Sequence, residues 1–349
     1  VRYSLQPTIL IFAYVIFVVG LILLLMRKKG FIEKLSRGAY LAFCITITIM
    51  LVILMLQFDI AEIRVGRYAA IQEWLNNFLS GKFPYGGSTN PSSFPVLFFA
   101  FIPFKLIGEI GLMQILTYLL FSFYLLKRFT NEPASKWQIQ ILLLISPIYL
   151  YEIVTRSELF SNMVFVLLFI HSISNTENLF EDYRKLIFAS VVGGLVLSTR
   201  MIVLLIYFIF LIHVYRENLK KLFLLFLGIC VVFLLTNLPF YFWNPLLYID
   251  NGPFAVQSIY LSKAIVLLFF ALAIIIGIKI KSEWNLYFAT ALILFLIVSA
   301  AFITQLNEHS IYELIYKDRF DVAYFIFTLP FILVLLGGII NWNTDYHNQ

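Results

Sequence analysis

Residues 39–57 read AYLAFCITITIMLVILMLQ, a run without one charged side chain, and Asp59 follows two places later. A helix rises about 1.5 Å per residue, so this run reaches across most of a hydrocarbon core about 30 Å thick. It is apolar all round instead of alternating, which points to a membrane helix and away from a strand of a β-barrel. Working outward, runs of the same kind occupy 8–26, 111–126, 138–152, 159–173, 222–237, 262–278, 285–303 and 321–340. The stretch 186–214 fits either one long helix or two short ones meeting at Thr199-Arg200. Over 349 residues the chain is 62% hydrophobic and 13% charged, with a mean hydropathy of +0.93. A soluble domain that apolar cannot clothe its surface, whereas a bilayer solvates apolar side chains directly. The expectation is an all-α, polytopic membrane protein whose single domain covers 1–349.

The net charge of +6 is not gathered into a nucleic-acid stripe. Basic residues cluster between apolar runs, at Arg27 to Arg37, Lys127/Arg128/Lys136, Arg184/Lys185, Arg216/Lys220/Lys221 and Lys279/Lys281. These five loops hold more than half of the Lys and Arg, and the positive-inside rule assigns them to the cytoplasm. Both ends of 186–214 are then cytoplasmic, which makes it a hairpin tipped by Arg200. By the same logic 138–173 is a hairpin tipped by Glu152, Arg156 and Glu158. If both 93–108 and 111–126 crossed, Lys127 would fall outside, so 93–108, with Pro95, Pro103 and Lys105, reads as a re-entrant or interfacial segment. The count is about eleven spans, with the N-terminus outside and the C-terminus cytoplasmic. The first run lacks the basic start and small-residue cleavage site of a signal peptide and reads as retained. With no Asn-x-Ser/Thr sequon except one blocked by Pro91, a bacterial inner (cytoplasmic) membrane is the expected location. Cys44 and Cys230 lie inside apolar segments, which argues against a disulfide framework, and the four His show no metal-ligand spacing.

The longest outer loop is 58–110. It opens on Asp59 and continues through an amphipathic helix over 61–80, with Ile63, Ala70, Leu75 and Phe78 toward one side and Arg64, Arg67 and Glu73 toward the other. Gly81-Lys-Phe-Pro-Tyr85, a Gly/Ser/Asn turn cluster and the apolar 93–108 segment follow. The plain reading is a solvated loop with an amphipathic cover. The order of parts also resembles the first extracytoplasmic loop of the C-type (GT-C) glycosyltransferases: an acidic residue at a span end, an Arg-Tyr-Ala-Ala helix, Gly-x-x-Pro-Tyr, and a Pro-containing apolar segment. Arg200 between two short spans and Arg319 before a terminal span with Pro330 are similar in placement. The resemblance implies a multi-span enzyme that takes a sugar from a polyprenyl-phosphate-linked donor and gives it to a lipid, glycan or protein acceptor. It implies a base or acceptor-orienting role for Asp59, with Glu62 as second carboxylate, and a structural role for Tyr68, Gly81, Pro84 and Tyr85. It leaves a divalent metal, Mg or Mn, open. The chain departs from the pattern by following Asp59 with Ile60 and Ala61, by its single Pro95, and by an extra N-terminal span and cytoplasmic loop in 1–38.

Sugar transfer needs a carboxylate to take the acceptor proton and fixed cations for the departing phosphate, for which the planar fork of Arg suits well. Arg156, Arg200, Lys263 and Arg319 fall at expected outer ends, and each also fits a snorkelling or ion-paired helix end. Glu152 and Glu158 fit either partners of Arg156 or walls of an acceptor cavity. The alternative enzyme is an O-antigen or exopolysaccharide polymerase or ligase, and the alternative non-enzyme is a lipid-linked-oligosaccharide flippase or transporter. A transporter predicts matched broken helices in two repeats, which this sequence does not show.

Overall fold

Lipid offers backbone N–H and C=O groups no partner, so apolar runs of this length satisfy them internally as helices. The computed structural model describes residues 7–32, 36–60, 66–176, 179–316 and 319–345, and every regular element among them is helical. The first part of the chain forms α1 (Pro7–Arg27), α2 (Lys29–Ile32), α3 (Arg37–Gln57), α4 (Gly66–Leu79), α5 (Pro95–Ile107) and α6 (Leu112–Arg128). The middle forms α7 (Pro133–Ile145), α8 (Pro147–Val154), α9 (Leu159–Ser174), α10 (Tyr183–Leu197), α11 (Ile202–Tyr215) and α12 (Leu219–Trp243). The last part forms α13 (Pro245–Asp250), α14 (Pro253–Ser258), α15 (Lys263–Lys279), α16 (Glu283–Leu306), α17 (Ile311–Tyr316), a 3-10 helix (Val322–Thr328) and α18 (Leu329–Asp345).

Among the described residues three helices are long and apolar enough to cross a membrane, namely α3, α12 and α16. The number rises to six if three bent pairs each count as one span: α5 with α6 (115°), α7 with α8 (65°), and 245–258 with α15 (61°). The expected eleven runs all fall on helices, but several are short. The 14 residues of α11 span only about 21 Å at 1.5 Å per residue. A helix so short covers the hydrocarbon only where neighbours shield its ends. The expected long helix over 61–80 is described as Gly66–Leu79, and 61–65 lie outside the described residues.

Two kinds of helix are visible from their side chains. Large apolar residues stand exposed along α1 (Phe12, Ile16), α3 (Ile45, Ile49), α12 (Phe223, Leu235) and α15 (Leu267, Leu268), as faces solvated by acyl chains would be. By contrast α9 and α11 are buried along most of their length and form the centre of the main hydrophobic core. Small residues bring the outer helices onto this centre. Gly193 and Gly194 of α10 lie against Ile229 and Val232 of α12, and Gly277 of α15 meets the backbone carbonyls of Phe208 and Ile209 of α11. Such small-residue contacts supply the close backbone approach that membrane helices depend on.

The loops sort to the two ends of the bundle. At one end basic groups converge: Arg128 pairs with Glu283 at 2.7 Å, and Arg216 donates to the Ile280 carbonyl at 2.9 Å. The other end gathers α4, the 155–158 tip, the 198–201 break and the segment before the 3-10 helix.

Candidate functional site

At that second end the loop after α4 is built around an aromatic cluster. Trp74 stacks on Phe98 with ring centroids 4.5 Å apart, and the buried Tyr85 donates its hydroxyl to the Ser93 carbonyl at 3.0 Å. Gly81 sits at φ 74, a left-handed backbone that favours glycine, and so turns the chain out of α4. Glu73 accepts from the Ser88 and Thr89 amides at 2.8 and 2.7 Å and from both hydroxyls. The Thr89 and Ser88 hydrogen bonds hold the Glu73 carboxyl down to about 2. Pro84 is buried, and Tyr68 accepts from Gln72 at 3.2 Å.

The loop so formed docks on the break at residue 199. The Phe94 amide donates to the Thr199 carbonyl at 3.0 Å, and Gln257 reaches across to bridge both sides. Its amide donates to the Ser92 carbonyl at 2.7 Å while its oxygen accepts from the Met201 amide at 2.9 Å. Arg200 is thereby buried with its guanidinium paired to Glu158, with a further hydrogen bond to Ser92 at 3.3 Å. Glu158 also meets Arg67 at 3.5 Å, and Arg67 pairs with Asp321 at 2.7 Å over the face of Tyr324. The result is a chain of four charges, Asp321–Arg67–Glu158–Arg200, with no net charge. Burial alone would raise the Glu158 carboxyl, but the guanidiniums of Arg200 and Arg67 outweigh it and hold it below the usual carboxylate range. Asp321 is likewise held low, as Arg67 overcomes the cost of burial.

Three cavities meet beside this chain. The first, about 620 Å³, is lined by Arg67, Glu158, Asp321, Asp250, the hydroxyl and amide groups of 88–93, and the rings of Tyr151, Tyr260 and Tyr324. The second, about 170 Å³, is apolar: Leu205, Val266, Phe270, Ile297, Phe320 and Phe327 wall it, with Arg200 at its edge. Val256, Tyr260 and Tyr324 belong to both walls. A third, about 500 Å³, holds Gln305, Glu308, His309 and Arg319 and also abuts Tyr260.

The residues singled out in the sequence are therefore distributed unequally. Arg200 lines the apolar cavity and pairs with Glu158 of the polar one, and Arg319 lines the third. Arg156 is buried and turned away from all three. Its backbone is left-handed at φ 51, its guanidinium donates to the Val154 and Phe58 carbonyls at 2.8 and 3.2 Å, and its carboxylate neighbour is Glu109 at 3.5 Å. That corrects the pairing of Arg156 with Glu152 or Glu158, because Glu158 is taken by two other arginines and Glu152 accepts from the Leu159 and Phe160 amides that open α9. Asp59 is exposed beyond the end of α3 and is not among the residues lining these cavities. Glu62 lies outside the described residues. Sequence reasoning missed Gln257, Tyr260 and Asp250, and it read Arg67 only as the polar face of a helix. The available signal for the first three was a polar, proline-broken stretch, 244–262, between two strongly apolar runs. Compared with known proteins, the chain matches no protein-family model, no curated protein and no solved structure.

Proposed function

We propose that this chain is a membrane glycosyltransferase that moves a sugar from a polyprenyl-phosphate-linked donor to a lipid, glycan or protein acceptor. The observation that carries the reading is the shared wall of Val256, Tyr260 and Tyr324 between a polar and an apolar cavity. A lipid-linked sugar has the same two parts joined at one point. Its chain wants apolar side chains, and its sugar wants hydroxyl, amide and carboxylate partners with aromatic faces. Arg200 lines the apolar cavity and pairs with Glu158 of the polar one, and its planar fork suits a phosphate. Arg319, in the adjoining third cavity, offers a second cation to the headgroup.

In this reading the eleven helical passages all cross, the five basic loops face the cytoplasm, and the cavities open at the outer face of a bacterial inner membrane. A divalent metal fits the cavity poorly. Glu158 and Asp321 are committed to arginines, and no group of three His, Cys, Asp or Glu side chains gathers among the described residues. The chemistry is therefore assigned to side chains alone.

The test uses the purified full chain in lipid nanodiscs with a panel of farnesyl-phosphate-linked hexoses and pentoses, read by release of farnesyl phosphate. Release from one member of the panel, and binding of farnesyl phosphate but not farnesol, is the expected result. No release from any member, together with equal binding of phosphate and alcohol, overturns the reading.

A further inference from the structure

Of the carboxylates around the outer end of the bundle, several are occupied by the structure. Glu158 and Asp321 are ion-paired to Arg200 and Arg67. Glu73 is spent on the Ser88 and Thr89 amides and hydroxyls, and Glu152 on the first turn of α9. Glu109 caps the Gly111 amide at 2.8 Å and faces Arg156. Asp250 is the third carboxylate of the polar cavity, beside Glu158 and Asp321. It forms no hydrogen bond or ion pair to any described residue.

Its position is nevertheless fixed. Asp250 ends α13, which Asn244 caps by accepting from the Leu247 amide at 3.1 Å. Tyr248, one turn from the cap, is buried and donates its hydroxyl to Asn237 of α12 at 2.7 Å. Gly252 follows, where an added Cβ would strike the Tyr248 carbonyl, so the turn from α13 into α14 is closed against its own helix. Gln257, beyond α14, then clamps the segment to Ser92 and Met201. A carboxylate on a braced turn, exposed at the wall of a polar cavity and paired with no cation among the described residues, is placed to take a proton from a hydroxyl bound there.

We infer that Asp250 is the general base of the transfer reaction, taking the proton of the acceptor hydroxyl. The inference rests on the transferase reading above. In the step, the acceptor oxygen forms a bond to the anomeric carbon of the sugar as its proton passes to the Asp250 carboxylate. The bond between that carbon and the phosphate oxygen breaks, and its electron pair leaves with the polyprenyl phosphate beside Arg200. The acceptor hydroxyl and the lipid-phosphate sugar are the sole co-reactants, and charge balances as one carboxylate is neutralised while one phosphate gains a negative charge. Loss of a general base costs about 100-fold or more in turnover.

The experiment compares Asp250→Asn, Asp250→Ala and Asp59→Asn with the parent in nanodiscs, using the farnesyl-phosphate sugar that the parent cleaves. Farnesyl phosphate binding serves as the check on folding and on the donor site. Asp250→Asn is expected to bind farnesyl phosphate as the parent does and to release it from the sugar about 100-fold more slowly. Sodium azide, an anionic acceptor with no proton to lose, is expected to restore release in Asp250→Ala with formation of a glycosyl azide, an outcome a merely structural residue would not give. Parent-like turnover in Asp250→Asn, with turnover lost in Asp59→Asn, overturns the inference and moves the base to the end of α3. Reduced farnesyl phosphate binding in both Asp250 variants, with no azide rescue, also overturns it. If the parent itself cleaves no donor, the transferase reading falls first and this inference with it.

Discussion

Glu158 is the anion shared by two arginines, and its removal gives the sharpest test of the charge chain. The side chains of Arg200 and Glu158 are only 2% and 4% exposed, and Glu158 meets Arg67 at 3.5 Å as well. Two unit charges about 3 Å apart attract by about 5 kcal/mol at an effective dielectric of about 20. Substituting Glu158→Gln deletes that attraction and strands the Arg200 guanidinium, whose other hydrogen-bond partner among the described residues is the Ser92 hydroxyl at 3.3 Å. Breaking a buried pair from one side costs about 3–5 kcal/mol. The converse change, Arg200→Met, still leaves Glu158 with Arg67, so it should cost less, about 1–3 kcal/mol. Removing both partners together leaves no stranded charge and should cost less than the sum of the single changes. The assay is reversible unfolding in mixed micelles by added sodium dodecyl sulfate, followed by tryptophan fluorescence, over the full double-mutant cycle. Equal losses for the two single variants, or strict additivity in the double variant, would refute the geometry of a shared anion.

Three further outcomes follow from local geometry. The carboxyl of Glu73 is held at about 2 against an ordinary 4.5, so its contribution is fully present above about pH 4.5 and is lost as pH falls through 2. Hydrogen exchange at the Ser88 and Thr89 amides, corrected for intrinsic rates, should show protection falling across that window in the parent and staying flat in Glu73→Gln. Adding a methyl at Gly277 would put it 2.7 Å from the Phe208 carbonyl oxygen, a backbone atom that cannot swing aside, so Gly277→Ala should destabilise by about 1–3 kcal/mol in the same micelle assay. For orientation, single cysteines at the exposed Asn90 and Glu308 should react with an impermeant thiol reagent in intact cells, while those at the exposed Asn218 and Lys281 should not; reversed labelling would invert the assigned topology.

Much of the scaffold could be read from composition and spacing because a bilayer makes simple demands. Apolar runs of 15 to 20 residues become helices whatever surrounds them, and helices stand at every run the sequence marked. The break at Thr199-Arg200 was legible for a related reason, since a charge between two apolar runs has to reach an interface. Length was the weaker guide. Helices of 14 or 15 residues cross only with help from neighbours, and the help comes from contacts such as Gly194 on Val232 that lie 38 positions apart along the chain. The site was legible only in part. Arg200 stood out as a lone charge, but its partner Glu158 is 42 positions away and Arg67 and Asp321 are separated by 254. Asp59 drew attention through a local pattern, whereas the cavity carboxylates are assembled by tertiary packing that leaves no local pattern. Asp250 lies in an ordinary-looking Asp-Asn-Gly turn, and only its place on a wall shared with Glu158 and Asp321 distinguishes it.

The neutrality of the four-charge chain bears on how a lipid phosphate would be held. A cavity with unopposed arginines would bind an anion tightly and release the product slowly. Here each guanidinium already has a carboxylate, so a phosphate at Arg200 competes with Glu158 and gains only the difference between the two partners. Pairing also aims the guanidinium before substrate arrives and spares the ligand the ordering of a long side chain. In the proposed transferase this arrangement would favour turnover over affinity. One consequence separates it from an open cationic site: Glu158→Gln should tighten farnesyl phosphate binding while weakening the fold, since the competing anion is gone and Arg200 is left in need of one. Weakened binding in a Glu158→Gln protein that remains folded at the assay temperature would mean that Glu158 orients Arg200 more than it competes for it.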